Sequence, residues 1–443
     1  MDKRASTVTD ERATRRLLAQ VTGASWLGTF LDFYDWAFTG TVAALVWPAV
    51  FFPASSPATG LLLALSTYAV GLASRPFGSI LFGHFADRLG RKDVLVWTLF
   101  TVFIASIGLG LVPGYTSIGL MGGVLVILFR ILQGLGIGGE WGSAISWVRE
   151  SAANGKWKGF WVGITNAGFS SGQVAANVSF LILLTAMGKQ FFVWGWRIPF
   201  FIGAAMVLLG LVVRYRFQDS PVFKAIIAKK ATDRIPSLTM FRKYWKRVLL
   251  LSGATMTTLA AAYLTEIFIL GYFGMLRIGS GTSVEIVTVG GVCSVLGVIF
   301  GAMLLDVLGR RNVFIISTLS SIIFAAPFFI ISNSASIALL ILAQIPTGIL
   351  MIGMSQAAFA GLLSEYFPTK YRASGAGFSL QLAGFFGGGI IPVISADFLS
   401  VYKAPAAAWP YIASTLLVSG IVSLACLLAA RETRNIDITK ENF

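Results

Sequence analysis

Gly83-His84-Phe85-Ala86-Asp87-Arg88-Leu89-Gly90-Arg91-Lys92 interrupts a nearly unbroken apolar sequence with a short basic turn. Its core, Asp-x-x-Gly followed by two basic residues, returns half a chain later as Asp306-Val307-Leu308-Gly309-Arg310-Arg311. A second pair keeps nearly the same spacing: Glu150 stands ahead of Lys158-Gly159, and Glu365 ahead of Arg372 and Gly375. A long fixed period marks internal duplication, so the chain reads as two copies of one module, each with its basic turn at an equivalent place.

The composition makes each module a membrane module. Of 443 residues, 56% are hydrophobic and 12% charged, with a mean hydropathy of +0.79. A water-soluble fold of this size needs far more polar surface. Apolar runs cover 21–52, 58–86, 94–113, 118–148, 159–187 and 198–213, then 248–275, 284–305, 313–331, 335–363, 373–399 and 409–430. Runs of about 20 residues let a helix cross a hydrocarbon core about 30 Å thick. They lack period-2 alternation, which excludes barrel strands. The fold class is therefore an all-α integral membrane protein with about twelve transmembrane helices in two six-helix bundles.

The net charge of +15 is distributed by loop rather than by patch. Basic residues gather at the N-terminus, at 88–92, 149–158 and 214–247, at Arg310-Arg311, at Lys370 with Arg372, and in the C-terminal tail. The alternate loops are nearly bare, with Lys189, Arg277 and Lys403 almost alone. By the positive-inside rule both termini face the cytoplasm and the number of spans is even. This periodicity points to a lipid bilayer as partner and excludes nucleic acid. The expected organisation is residues 1–217 as an N-terminal bundle, 218–244 as a cytoplasmic basic linker, and 245–443 as a C-terminal bundle of a monomeric, multi-pass plasma-membrane protein. The first apolar run is too long, and too far behind a charged leader, for a cleavable signal.

Several chemistries are excluded. A single histidine builds neither a multi-histidine metal site nor a hydrolytic triad, and no Gly-x-x-x-x-Gly-Lys phosphate loop exists. Cys293 and Cys426 lie inside predicted spans and imply no disulfide framework. The reading is not an enzyme, with no metal and no cofactor, driven by an ion gradient.

Charges inside the spans are costly, about 2.5–3.5 kcal/mol each on insertion scales, so they face a cavity and pair. Asp32 and Asp35 share a face of the first span, and Arg130 lies at a compatible depth in the fourth. Glu140 sits about 15 Å further along that helix and needs another partner. Glu266 adds an acid to the seventh span, either facing the cavity or hydrogen-bonded to a neighbouring helix. Asp32, Asp35, Glu140 and Glu266 outnumber Arg75 and Arg130, so at least one carboxyl is expected to hold a proton in some states. These four acids are the candidate proton-coupling groups. Asn166, Ser170, Gln173 and Asn177 follow at steps of four, three and four, one helix face that must turn from lipid toward the cavity or a neighbouring helix. Gln133, Tyr263, Gln356 and Gln381 are further lining candidates.

In its doubled basic turn and six-plus-six layout the chain resembles the major facilitator superfamily along essentially its whole length. Several stretches are similar to its metabolite:proton symporter family, which carries dicarboxylates, citrate, shikimate, proline and betaine. They are Leu31-Asp32-Phe33-Tyr34-Asp35-Trp36, Ala73-Ser74-Arg75-Pro76-Phe77-Gly78, Arg130-Ile131-Leu132-Gln133-Gly134 through Gly138-Gly139-Glu140-Trp141-Gly142, Trp194-Gly195-Trp196-Arg197-Ile198-Pro199-Phe200, and Glu365-Tyr366-Phe367-Pro368-Thr369. The stretch from Trp26 to Asp35 also resembles sialic acid carriers. Where the symporter motif begins with Glu, this chain has the shorter Asp32.

The resemblance implies a major facilitator fold that imports a small, anionic organic acid with protons. Arg130 would grip the carboxylate or balance Asp35, and Asp87, Arg88, Arg91, Asp306 and Arg310 would form a cytoplasmic gate. It leaves open a zwitterionic osmolyte such as betaine or proline, a sialic or sugar acid, and a non-transporting receptor on the same fold.

Overall fold

Backbone amides have no water partner in hydrocarbon, so a chain this apolar satisfies them within helices. The computed structural model describes residues 2–89, 91–152, 157–216 and 236–436; side chains 2–15, 83–95, 209 and 211–238 are outside the description. Twelve long helices follow in order among the described residues, nine of them long and apolar enough to cross a membrane: α1 (Asp2–Leu45), α2 (Pro57–Leu89), α3 (Arg91–Leu111), α4 (Met121–Ser151), α5 (Lys158–Met187) and α6 (Ile198–Arg216). The second half supplies α7 (Thr239–Met275), α8 (Ser280–Leu308), α9 (Arg310–Asn333), α10 (Ile337–Glu365), α11 (Thr369–Tyr402) and α12 (Pro405–Ala429). Phe77, Leu128, Ile182 and Ile323 are exposed on the outer surface, where lipid takes the place of a protein core.

Two boundaries differ from expectation. The first run breaks at Val46, and Trp47–Phe51 forms a separate helical turn whose second residue, Pro48, has no N–H to give to α1. Part of the 218–244 stretch is helical: the helix that carries α7 starts at Pro236, a residue pre-set for a first turn, and bends at Tyr244 (φ −122°, ψ 18°). There Tyr244 packs against Phe367 and Tyr371, and Phe241 against Phe378.

Within the first half α1 packs along α5 and α2 along α4; within the second, α8 packs along α10 and α9 along α12. The halves meet where α5 lies on α8 and α2 on α11, contacts that exchange under the duplication. Gly142 of α4 makes a third, since a Cβ there would stand 2.9 Å from Gly377 of α11.

The two ends of this seam close by different chemistry. At the basic end, Arg149 of α4 pairs with Glu365 of α10 at 2.7 Å, and Arg310 pairs with the same carboxylate at 3.0 Å. Arg372 pairs with Glu150 at 3.1 Å. Asp306 accepts from the backbone N–H groups of Gly159 and Phe160 at 2.9 Å each, capping α5 of the opposite half, and holds Arg310 at 3.2 Å. Of the five expected gate residues, Asp306 and Arg310 make these contacts, while the side chains of Asp87, Arg88 and Arg91 lie outside the described residues. At the other end the contacts are apolar: Leu61 lies over Gly271, and Ile267 over Gly40.

Glu365 is buried between two guanidiniums, so Glu365→Gln is expected to destabilise this closure by about 3 kcal/mol. A cysteine placed at Ala144, on the cavity wall, should then react at least about tenfold faster with a reagent added from the basic end. An unchanged labelling rate would show that these pairs do not hold the gate.

Candidate functional site

Trp36 is the post around which the site assembles, because α1 carries it into the seam between α2, α4 and α7. The guanidinium carbon of Arg130 lies 3.7 Å from its ring centroid and that of Arg75 lies 3.8 Å away. Its indole N–H donates to the Tyr263 hydroxyl at 2.8 Å. Tyr68 closes the cluster, its ring centroid 4.8 Å from that of Trp36 and 4.5 Å from Arg130 Cζ. Desolvated cation–π contacts of about 2 kcal/mol offset part of the cost of burying two cations.

The expected partnership of Asp35 with Arg130 exists, but an amide stands between them. Gln133 Oε1 accepts from Arg130 Nη1, three residues earlier on α4, and Gln133 Nε2 donates to Asp35 Oδ2. Ser106 of α3 donates to the other carboxylate oxygen at 3.2 Å. α6 contributes Gly203, where a Cβ would stand 2.7 Å from Asp35 Oδ1. Four helices therefore enclose this carboxyl, and Arg130 Nε and Nη2 have no hydrogen-bond partner among the described residues.

Beside the cluster lie two cavities that share Phe33, Phe169, Leu259 and Tyr263. The first, about 630 Å³, takes its polar wall from Asp32, Arg75, Glu140, Tyr263 and Gln381. The second, about 480 Å³, takes its own from Ser170, Gln173, Glu266 and Gln356. Arg130 and Gln133 are fully buried behind Trp36 and line neither. The cation at the cavity is Arg75, whose Nε has no partner among the described residues. Arg75 stands mid-span in the 58–86 run, so a signal was in the sequence, yet it entered the reading only as a charge without a role.

The polar face of α5 divides. Ser170 and Gln173 reach the second cavity, with Ser170 also 2.7 Å from Ser294 Oγ and 2.9 Å from Gln356 Oε1. Asn166 instead ties the halves, accepting from Trp141 at 3.1 Å and donating to the Gln356 carbonyl at 2.8 Å, and Asn177 accepts from Thr41. The stripe runs three helical turns, about 16 Å, and of its four residues only the middle two line the cavity while the ends serve packing. Glu266 sits in a π-helical turn, Tyr263–Phe268, and faces the second cavity, with no hydrogen-bond or ionic partner among the described residues.

The sequence profile of the Major Facilitator Superfamily matches residues 25–392. The inner membrane metabolite transport protein YhjE of Escherichia coli is 34% identical over 93% of this chain and 94% of its own. The shikimate transporter of Escherichia coli is 33% identical over the same shares, 93% and 94%. The xylose transporter XylE of Escherichia coli, solved in a partially occluded inward-open conformation, superposes with a TM-score of 0.71 at 18% identity, covering 95% of this chain and 99% of that one.

Gln133→Leu removes the hydrogen bonds that join Asp35 to Arg130. Two charged-group hydrogen bonds lost at a buried site should lower stability by about 3 kcal/mol, read as a lower melting temperature in detergent. Arg75→Gln, at the cavity wall, should melt close to wild type. The reverse ranking would mean that Arg75 rather than Gln133 holds the helices together.

Proposed function

The chain belongs to the major facilitator superfamily, and we propose that within it this transporter is a proton-coupled symporter that brings a small organic acid into the cell by alternating access. The observation that carries the reading is the Arg75 guanidinium at the cavity wall, with an N–H that no described residue accepts. A planar fork with donors to spare is the group that binds a carboxylate bidentately. Arg75 stacks on the same Trp36 ring as Arg130, so an anion at Arg75 is felt by both guanidiniums.

Proton coupling follows from charge. Asp35 lies one residue from Trp36 and is joined through Gln133 to Arg130, so it shares the positive field of the cluster. A carboxylate arriving at Arg75 cancels part of that field, and anion and proton then favour one another's binding by linkage. Asp32, one turn earlier and on the cavity wall, offers the proton its way in. Arg130 acts here as the counter-charge of Asp35 rather than as the hand that holds the solute. The loaded, charge-balanced cluster lets the basic end part, while an anion without its proton holds the gate shut. The basic end is the cytoplasmic one, as the distribution of Lys and Arg implies.

Asp35→Asn should abolish accumulation against a gradient in proteoliposomes and leave counter-exchange of solute, because an amide neither takes nor releases the proton. Arg75→Gln should weaken solute binding about 100-fold. Wild-type accumulation by Asp35→Asn would remove that residue from coupling, and unchanged affinity in Arg75→Gln would move the carboxylate elsewhere.

A further inference from the structure

We propose that the first turns of α7 form a docking face for anionic phospholipid headgroups in the leaflet at the basic end, and that lipid seated there holds the adjacent gate closed. Three rows of side chains run along this segment. Met240, Tyr244 and Val248, at steps of four, turn inward: Met240 and Val248 are buried, and Tyr244 packs on Phe367 and Tyr371. Phe241, Trp245 and Leu249 form the next row, 41%, 46% and 49% exposed. Arg242 and Lys246 form the third, both exposed, with exposed Lys243 beyond them. The basic row therefore borders the exposed apolar row along the helix.

That order suits a bilayer surface. Leu249 continues the apolar row onto the outer side of the span, so Phe241 and Trp245 lie where hydrocarbon gives way to headgroups, the level that tryptophan favours. The cations beside them then fall at the depth of the phosphates. No described carboxylate pairs with Arg242, Lys243 or Lys246, and those of Glu150 and Glu365 at the gate are held by Arg149, Arg310 and Arg372. A zwitterionic headgroup brings its own cation, whereas an anionic one leaves its charge to these side chains. An acidic protein partner would have to cover Trp245 and Leu249 as well, a surface that the bilayer already covers.

The same segment touches the gate. Arg247 donates from Nη1 to the Tyr366 carbonyl at 3.3 Å, and its guanidinium carbon lies 5.0 Å from the Tyr244 ring centroid. The Tyr244 centroid lies 6.4 Å from that of Phe367 and 5.7 Å from that of Tyr371, while Phe241 meets Phe378 of α11 at 5.5 Å. Tyr366 to Tyr371 joins α10 to α11, and the gate residues Glu365 and Arg372 bound it on either side. Opening the basic end moves this connection away from Arg149 and Glu150 of α4. A helix pinned to the bilayer surface opposes that movement, so lipid charge biases the same equilibrium as the gate pairs.

The test compares vesicles of phosphatidylcholine alone with vesicles that also hold about 30% phosphatidylglycerol. A cysteine placed at Ala144 should react about tenfold more slowly in the second membrane with an impermeant reagent applied at the basic end. Arg242→Gln/Lys243→Gln/Lys246→Gln should label at one rate in both membranes, that of wild type in phosphatidylcholine, and Arg242→Lys should behave as wild type. Occupancy is read separately, as the part of the tryptophan quenching by brominated lipid that Trp245→Phe removes. Brominated phosphatidylglycerol should produce more of it than the same fraction of brominated phosphatidylcholine. Equal quenching by the two lipids would overturn the docking face, and preferential quenching with labelling indifferent to lipid would overturn its hold on the gate. Slowing that persists in the triple variant would place the lipid's action elsewhere. Slowing reproduced in phosphatidylcholine by millimolar inorganic phosphate would assign the site to a soluble anion instead.

Discussion

The buried contact between the Trp36 ring and the Arg130 guanidinium is the interaction on which the rest of this structure depends. Hydrocarbon and packed helices both deny water to a charge, so Arg75 and Arg130 persist at mid-span only because a π-face and nearby carboxyls replace hydration. That requirement recruits residues from five helices: Trp36 and Asp35 on α1, Tyr68 and Arg75 on α2, Ser106 on α3, Arg130 and Gln133 on α4, and Tyr263 on α7. Because α7 belongs to the second half, a change in charge at the cluster is felt directly across the seam.

Closure of that seam is asymmetric in kind. The basic end is held by ion pairs and by a carboxylate on a helix N-terminus, all of which regain water when they separate. Leu61, Gly271, Ile267 and Gly40 at the other end regain only apolar exposure. Opening either way therefore trades one currency of free energy for another. Small differences in charge at the cluster are enough to decide between them, since pair hydration and apolar exposure are each a few kcal/mol. Among the described residues three π-helical stretches occur, all in the second half, and two of them, Tyr263–Phe268 and Gly384–Ile390, bring residues to the cavity wall. Wide turns of this kind re-aim side chains without breaking a helix.

The fold was legible because lipid imposes a simple rule: a run of apolar residues about 20 long must be a helix, and a repeated Asp-x-x-Gly-basic-basic turn must mark equivalent helix ends. Asp306 capping α5 follows from the same residue types in the same place. The site was legible only in part. That Asp35 and Arg130 belong together could be read from depth along their helices; that Gln133 would intervene could not, because rotation about each helix axis is set by packing partners that sequence spacing does not name. The same ambiguity hid which arginine meets the cavity: Arg130 is turned behind Trp36 and Arg75 lines the wall. Asn166 and Ser170 lie on one face by count, yet one ties the halves and the other lines the cavity, a division made by where α4 and α10 cross α5.

The central claim is that solute carboxylate and proton cross together through this cluster. Proteoliposomes loaded with a pH-sensitive dye test it when an inward gradient of labelled carboxylate solute is applied with no initial pH difference and the membrane potential clamped. The account predicts that entry of any solute whose transport requires Arg75 acidifies the lumen in step with solute uptake. Solute entering at its full rate while lumenal pH stays constant would contradict it.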